Sequence, residues 1–451
     1  MTDATSSRAS DRVGERLAEV PFRDTLRFWV RLGFINFGGP TGQIAIMHDE
    51  LVERRRWIDE PRFLHALNFA MLLPGPEAHQ LAIYVGWLLN GAPGAVAAGV
   101  FFLLPAFILM VTLSWVYAVH GDVGWISAVF EGLAWGVVGI VTAALVRIGT
   151  RALRTPAAVL IAVVAFVGLF AFGVPFPAIV LGAGALGLIA GDRLTRRSTN
   201  AVDIGPVGRP EVRPTWGRTL RVLLIGALVW FGPLTLAVLV AGTDGVIADE
   251  AVFFSLLALV TFGGAYAVLA YVNQAAVTRF GWLTSGEMAV GLSLAETTPG
   301  PLILVVVFVG FVAAYRDPGS LDPLAAGVLG SVVTAWATFV PSFLWIFLGA
   351  PSVERLRGNA RLSAALAAIT AAVVGVIANL AVVFAIGVLF DERSVERFAG
   401  NDVVLPALAS ADLLAIGVAA AAFVALRLWR VNVVWVVLGS GLIGAARYLI
   451  A

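Results

Sequence analysis

The sequence repeats itself, and residues that break helices interrupt each copy twice. Phe37-Gly38-Gly39 recurs 225 residues later as Phe262-Gly263-Gly264, and Pro74-Gly75-Pro76 recurs at the same offset as Pro299-Gly300-Pro301. Proline lacks a backbone N–H and glycine admits conformations closed to other residues, so each motif divides a helix. An ungapped register across this stretch indicates a duplicated chain.

A later stretch of the repeat is shifted in register. Pro105-Ala106-Phe107 pairs with Pro341-Ser342-Phe343, and Val137-Val138-Gly139 pairs with Val373-Val374-Gly375, both at an offset of 236 residues. The shift predicts an insertion of 11 residues in the second copy, around residues 316–326. We divide the chain into an N-terminal tail (1–21), a first repeat (22–191), a loop with a linker helix (192–246) and a second repeat (247–451).

The composition indicates whether these repeats fold in water or in a membrane. Hydrophobic residues make up 59% of the chain and charged residues 13%, with a mean hydropathy of +0.92. Soluble domains are nearer one quarter charged, so the chain is predicted to be an all-α integral membrane protein in contact with the lipid bilayer. A net charge of only +1 argues against a nucleic-acid partner, and the absence of cysteine excludes disulfides and thiolate metal sites.

The placement of arginine predicts the topology, because cytoplasmic loops carry an excess of basic residues. Arginines cluster at 53–56, 147–154, 193–221, 355–361 and 427–430, whereas the connections at 120–122, 173–177 and 242–250 contain none. With the first set in the cytoplasm, spans are predicted at 93–119, 125–146, 156–172 and 175–190, and a linker helix at 220–241. The first repeat then begins inside and the second outside. We therefore expect inverted copies, a cytoplasmic N-terminus and an outer loop at 391–402.

The chain before the first predicted span must return to its own side of the membrane. Its four stretches, 22–37, 41–56, 61–73 and 77–89, each reach only about 20–24 Å as helix at ~1.5 Å per residue. That is shorter than the ~30 Å hydrocarbon core. We expect two re-entrant helical hairpins with the Gly-Gly and Pro-Gly-Pro motifs at their tips.

New helices starting after each break present free N–H groups and the positive end of the helix dipole. Such starts are predicted near Thr41, Glu77, Tyr266 and Leu302, and inverted duplication would bring them together as an anion site at the membrane midplane. The alternative is that the breaks only permit turns or close helix packing. The predicted substrate-binding residues are Asn36, Phe37, Gly38, Gly39, Pro40, Thr41, Gln43, Pro74, Gly75, Pro76, Thr261, Phe262, Gly263, Gly264, Tyr266, Thr298, Pro299, Gly300 and Pro301.

Three acids within apolar segments are candidates for coupling or gating, because ionisable groups in a membrane are costly. Glu77 directly follows the first Pro-Gly-Pro and serves either as a helix-capping anion or in coupling. Glu296 precedes the second Pro-Gly-Pro by three residues. Glu131 lies within the predicted span 125–146, where pairing with an arginine such as Arg27 or Arg31 is the structural alternative.

Enzymatic and metal-dependent functions receive no support from the sequence. His48-Asp49-Glu50 contains ligand-type residues, but adjacent positions on a helix do not face one point. The chain has neither a Walker-type phosphate loop nor a Gly-x-Ser-x-Gly or His-Glu-x-x-His motif. We therefore expect a protein without catalytic activity, without a cofactor and without a metal site.

The motifs taken together resemble those of the chromate ion transporter (CHR) family, in its long two-domain form. The resemblance rests on Phe37-Gly38-Gly39-Pro40, Glu53-Arg54-Arg55-Arg56-Trp57 and Leu72-Leu73-Pro74-Gly75-Pro76, and on their second set, Phe262-Gly263-Gly264-x-Tyr266, Gly281-Trp282-Leu283 and Thr298-Pro299-Gly300-Pro301. Gln43 stands where many members have His, and Ala265 where a third Gly is common.

The resemblance implies a secondary transporter that exports chromate across a bacterial cytoplasmic membrane and confers resistance. Sulfate or another tetrahedral oxyanion is the alternative substrate, by transport or exchange, and an anion channel is the alternative mechanism. A homodimer is compatible with this interpretation.

Overall fold

The computed structural model describes residues 20–37, 39–190, 215–262, 264–349, 360–398 and 401–450. Gly38 and Gly263, both predicted site residues, lie outside the described residues. So do most of the predicted cytoplasmic tail and the arginine-rich segments at 193–214 and 355–359. The described chain is almost entirely helical, as the composition predicts.

The first half begins with short helices and continues with longer ones. Its elements are α1 (Phe22–Ile35), α2 (Gly39–His48) with a π-helical turn (Asp49–Arg54), α3 (Glu60–Leu72), α4 (Glu77–His120), α5 (Gly124–Ala152), α6 (Pro156–Phe170) and α7 (Phe176–Ala190). The linker helix is α8 (Trp216–Ala241).

The second half follows the same order up to its two-stranded hairpin. Its elements are α9 (Val246–Val260), α10 (Ala265–Asn273) with a π-helical turn (Gln274–Arg279), α11 (Ser285–Thr297), a 3₁₀ turn (Leu302–Leu304) leading into α12 (Val305–Arg316), α13 (Pro323–Gly349) and α14 (Ala360–Leu389). Then come β1 (Arg393–Phe398), β2 (Asn401–Pro406), a 3₁₀ turn (Leu408–Ser410), α15 (Leu413–Arg427) and α16 (Val433–Ile450).

Local sequence explains where the matched short helices start. Asp59 caps α3, since its carboxylate accepts a hydrogen bond from the Arg62 N–H at 2.8 Å. The residue at the same repeat position, Thr284, caps α11 and forms a capping box with Glu287. The two halves thus use different cap residues to begin the same helix at the same place.

A sharp reversal divides α4 into a short helix and a long one. Asn90 and Gly91 leave the helical conformation, with Gly91 at φ 67°. Gly86 and Gly94 then face each other, and each leaves no room for a Cβ beside the other's backbone carbonyl. The segment before the reversal, residues 77–89, is about 20 Å long at ~1.5 Å per residue, which is shorter than the ~30 Å hydrocarbon core.

Six helices of the described chain are long and apolar enough to cross a membrane: 77–120, α5, α8, α13, 363–389 and α16. The predicted spans 156–172 and 175–190 correspond to α6 and α7, which are not among these six helices. The helices α6 and α7 have 15 residues each, about 22 Å at ~1.5 Å per residue, and the chain reverses between them at Gly173, whose φ is +61°. Both pack against α14.

The ends of α4 locate the bases of the hairpins in the two halves. At the reversal, the Asn90 amide donates to the Val20 carbonyl at 2.8 Å, just before α1. At the other end, the Tyr117 hydroxyl donates to Glu287 at 3.3 Å, at the start of α11. The short helices of the two halves therefore have their bases at opposite ends of the long part of α4.

The surface fits a lipid environment. On the linker helix α8, Leu228, Leu236 and Leu239 are 72%, 64% and 69% exposed. Apolar side chains this exposed along one helix mark the face that acyl chains cover. The predicted outer loop 391–402 overlaps the β-hairpin of β1 and β2, which the sequence does not predict and whose first strand is fully exposed.

Candidate functional site

The tips of the hairpins from the two halves meet, and they exchange backbone hydrogen bonds. The Gly75 N–H donates to the Thr261 carbonyl at 2.9 Å, and the Gly300 N–H donates to the Asn36 carbonyl at 2.8 Å. Gly75 and Gly300 occupy one repeat position, and Asn36 and Thr261 another. Each Pro-Gly-Pro loop is thus held by the end of the first helix of the other half.

Glycine is required at these tips by backbone conformation. Gly75 and Gly300 have φ values of 131° and 133°, and Gly39 and Gly264, which open the following helices, have φ values of 66° and 92°. L-amino acids rarely adopt such conformations. The nearly equal φ values of Gly75 and Gly300 show that the Pro-Gly-Pro breaks have the same local conformation in both copies, and the Gly-Gly breaks share a positive φ.

Two glutamine side chains hold the loops in place. The Gln43 amide donates to the Gly300 carbonyl at 2.5 Å, and the Gln80 amide donates to the Pro74 carbonyl at 2.6 Å. The repeat positions of these glutamines in the second half hold Val268 and Val305. Sequence analysis singles out Gln43 but not Gln80, whose signal is a polar residue in the first turn after the break.

Several buried polar atoms at the tips have no hydrogen-bond partner within the described part of the chain. They are both amide atoms of Asn36, the free oxygens of Gln43 and Gln80, and the hydroxyl of Ser342. Asn36, Gln43 and Gln80 are fully buried. Unpartnered buried polar atoms are costly, so these groups are suited to receive a polar ligand or water.

The space between the tips is small in this conformation. Pro40, Gln43, Gly75, Pro76, Glu77, Thr261, Gly264 and Pro301 contribute to the lining of a cavity of about 10 Å³. A cavity of this size has room for about one water. An oxyanion can enter only if the tips move apart.

The predicted hydroxyl donors differ in where they point. The hydroxyls of Thr261 and Thr298 donate to carbonyls of their own helices, at 2.6 Å from Leu257 and 3.1 Å from Ala295. Their hydrogens are therefore not directed at the tip cavity. Thr41 instead lines a larger, open cavity.

This larger cavity, which we call the basic vestibule, lies beside the tips and has a volume of about 500 Å³. One wall is formed by Gly39, Pro40, Thr41, Tyr266 and Glu296, and other parts by Arg147, Arg151, Arg427 and Arg430. The Tyr266 hydroxyl donates to Glu296 at 2.7 Å, and Glu296 is only 7% exposed. In the sequence these arginines serve only as topology signals, whereas the structure gathers them around the start of α2.

Glu131 lies away from the tips, in a second cavity of about 500 Å³ near the His120 end of α4. Its side chain is 55% exposed and lies 3.9 Å from Arg447. The suggested pairing with Arg27 or Arg31 is therefore wrong, because α1 lies at the Asn90 end of α4. The tips and their surroundings contain Glu77 and Glu296 but not Glu131.

The histidine segment forms an ion-pair group on the surface. Glu50 forms ion pairs with Arg54 and Arg55. Among the described residues it is not part of the group of possible metal ligands around His48, as expected for side chains at neighbouring positions on a helix. Glu53 and Glu60 do approach His48, with one ligand atom of each within 4.8 Å of the others. The imidazole is already bonded to Glu60 at 2.5 Å, and both acids are exposed.

The chain matches a known protein family twice. The profile of the family described as Chromate transporter matches residues 23–188 and again residues 249–445. No solved structure matches the chain. Both matches include a Gly-Gly motif, a Pro-Gly-Pro motif and the helices that follow them.

Individual relatives cover most or nearly all of the chain. It is 31% identical over 449 residues to the chromate transport protein of Pseudomonas aeruginosa, covering 97% of this chain and 95% of that protein. It is 28% identical over 366 residues to the chromate transport protein of Cupriavidus metallidurans, with 80% and 82% covered. It is 29% identical over 358 residues to a probable chromate transport protein of Synechococcus elongatus, with 79% and 83% covered. The chain therefore belongs to the chromate transporter family.

Proposed function

We propose that this chain is a secondary transporter that exports chromate across a bacterial cytoplasmic membrane and so confers chromate resistance. The observation that carries the proposal is the basic vestibule, which opens onto the start of α2 beside the paired tips. Four arginines at its walls attract a dianion from solution, and low-dielectric walls focus their field. The neutral N–H and amide groups at the tips then take the anion without binding it irreversibly.

Alternating access follows from the closed state of the tips. The reciprocal bonds of Gly75 and Gly300 leave about 10 Å³ between the loops, which excludes a tetrahedral oxyanion. A bound anion would replace these contacts by accepting hydrogen bonds from N–H groups at the helix starts. Substrate binding would therefore be coupled to separation of the two halves, as an alternating-access mechanism requires.

The positions of the hairpin bases support inverted repeats. The short helices of the first half have their base at the Asn90 end of α4, and those of the second half at the His120 end. The arginines of the basic vestibule favour a cytoplasmic position for their own side of the molecule. Arg316 then lies on the outer side, where its ion pair with Glu287 neutralises it. This pairing accounts for a basic residue that opposes the arginine rule.

Export of a dianion is favourable on electrical grounds alone. Moving one charge through 100 mV is worth ~2.3 kcal/mol, so a dianion leaving a negative interior gains roughly 4.6 kcal/mol. We infer that the membrane potential contributes to transport, with coupling through an ionisable group as a further source of energy.

Flux into inside-out vesicles tests this function. Export then appears as uptake of labelled chromate, and a potassium-diffusion potential that is positive inside the vesicle should accelerate it. Gly39→Leu should reduce uptake about tenfold, because a left-handed conformation costs a side chain ~1–2 kcal/mol. Gly417→Leu is the matched control, since an added Cβ meets nothing within 4 Å at either position but only Gly39 has a positive φ.

Two outcomes would overturn the proposal. Equal uptake by wild type and Gly39→Leu would show that the tips take no part in transport. Uptake that never saturates and shows no counterflow would indicate an anion channel.

A second candidate is transport or exchange of sulfate or another tetrahedral oxyanion. The donors at the tips are backbone N–H groups and neutral amides. Such donors recognise the charge and shape of an oxyanion rather than the identity of its central atom. Competition by sulfate and molybdate against labelled chromate distinguishes these substrates: strong competition at equal concentration supports the broader specificity.

A further inference from the structure

A fully buried carboxyl lies in the second half, outside the site described above. Glu250 belongs to the second turn of α9 and is 0% exposed. Neither of its carboxyl oxygens has a hydrogen-bond partner among the described residues. An ionised carboxylate without a partner is strongly unfavourable in such surroundings, so Glu250 holds a proton in this conformation.

The elements packed against α9 supply no compensating charge. The described residues of α13 include no charged side chain, and the one charged residue of α12, Arg316, pairs with Glu287. In α8, Arg218 and Arg221 lie in the first two turns, and Arg218 donates to the Phe347 carbonyl. That end is remote from the turn between α8 and α9. The neighbouring charged residue on α9 is Asp249, which is itself acidic and cannot form an ion pair with Glu250.

Glu250 touches the crossing of two helices of its own half, α12 and α13. Gly310 of α12 and Gly330 of α13 face each other there, each without space for a Cβ. One carboxyl oxygen of Glu250 lies 3.0 Å from the position that a Cβ on Gly330 would occupy. The carboxyl therefore closes the contact between α9 and this glycine crossing.

The first half solves the same structural problem with a neutral pair. Thr25 occupies the repeat position of Glu250, and its hydroxyl donates to Asn90 at 2.5 Å, at the reversal of α4. Each half thus places a polar side chain beside the point where the chain reverses after its second short helical hairpin. An ionisable group is not needed for this packing, since threonine serves there in the first half.

We propose that Glu250 is a proton-binding site that couples transport to proton movement. The carboxyl keeps its proton while α9 packs on α13, and releases it to water when the α12–α13 crossing separates from α9. Because α9 begins next to the acidic turn at 242–245, the proton exchanges with the solution on the predicted outer side. The coupling role rests on the proposed transport function, whereas proton binding does not.

Reaction with a hydrophobic carbodiimide tests proton binding without any transport measurement. The carboxyl proton moves to a nitrogen of the carbodiimide, and the carboxyl oxygen bonds to its central carbon. The resulting O-acylisourea rearranges to a stable N-acylurea, which mass spectrometry locates in a peptide. In the purified full chain, Glu250 should be modified in mildly acidic buffer, and Glu250→Gln should abolish that modification. Glu287, ion-paired with Arg316, is the internal control and should stay unmodified.

Flux measurements then test coupling. Glu250→Gln keeps the size of the side chain but cannot ionise, so chromate flux should lose its dependence on a pH gradient while its dependence on potential remains. Asp249→Asn is the matched control and should keep the pH dependence.

Absence of carbodiimide modification at Glu250 in the wild-type chain would overturn proton binding, whether or not any variant folds. Modification of Glu250 together with unchanged pH-gradient dependence in Glu250→Gln would overturn the coupling role. Modification of Glu250 in a chain that moves no chromate would refute the transport function but not the proton site.

Discussion

At the scale of single residues, the two halves contribute unequally to the tips. Gln43 and Gln80 hold both Pro-Gly-Pro loops, although both glutamines belong to the first half. Val268 and Val305 stand at their repeat positions. Backbone shape is therefore duplicated, whereas the side-chain clamps are not.

Replacing Gln43 by leucine should both destabilise the protein and weaken substrate binding. The change leaves the Gly300 carbonyl buried without its side-chain donor, which costs ~1–3 kcal/mol. Thermal unfolding of the purified protein should shift downward, and the KM for chromate should rise. Gln274→Leu is the control, because Gln274 lies away from the tips and accepts only a 3.4 Å bond from the Phe176 N–H. Unchanged stability and KM in Gln43→Leu would show that the clamp is dispensable.

The sequence predicts which backbone segments approach, but not where each side chain points. Repeat matching places Gly39, Gly75, Gly264 and Gly300 together because the breaks are backbone properties. The sequence predicts that the Thr261 hydroxyl faces a ligand, whereas in the structure it donates to a carbonyl of its own helix. Such choices depend on rotamers and on competing acceptors nearby, which repeat spacing does not encode.

At the scale of elements, the half-spanning segments depend on glycine crossings. Gly94→Ala should unfold the protein at lower temperature, since the new methyl group meets the Gly86 carbonyl and overpacking of this kind costs ~1–3 kcal/mol. Gly439→Ala in α16 is the control, because an added Cβ there meets nothing within 4 Å. That change should be neutral or slightly stabilising. Equal unfolding temperatures for both variants would contradict the tight crossing.

The lengths of these elements were more predictable than their partners. Proline, glycine and the caps set the bounds of the short helices, and these signals are local. The predicted bounds of α6 and α7 are close to those of the structure, but their packing is not predicted. An apolar stretch beside Pro156 or Pro175 has the same pattern whether it packs on lipid or on α14. The sequence does not predict the β-hairpin at 393–406, because its first strand is exposed along its whole length and has no apolar face to reveal a period.

At the scale of the whole molecule, inversion of the halves can be tested with one matched pair of sites. Glu53 and Thr278 occupy the same repeat position, lie in the two π-helical turns and are both exposed. The natural chain contains no cysteine, so Glu53→Cys and Thr278→Cys each introduce a single thiol. In intact cells, a membrane-impermeant maleimide should label Thr278→Cys and not Glu53→Cys.

Permeabilised cells provide the control, since both thiols should then react. Labelling of both variants in intact cells would mean that the halves are parallel. Labelling of Glu53→Cys alone would retain the inversion but reverse the orientation in the membrane, and with it the assignment of the basic vestibule to the cytoplasm.

The exchanged backbone bonds of Gly75 and Gly300 also bear on how such a chain arose. Neither half completes its own loop, because each takes its acceptor from the other. A single-copy precursor would have needed a second, separate chain beside it to satisfy both glycine N–H groups. Joining two copies through α8 converts that encounter into an intramolecular one, whose effective concentration no longer depends on expression level. The linker helix, so exposed to lipid, is in this sense the part of the molecule that frees its site from the abundance of a partner.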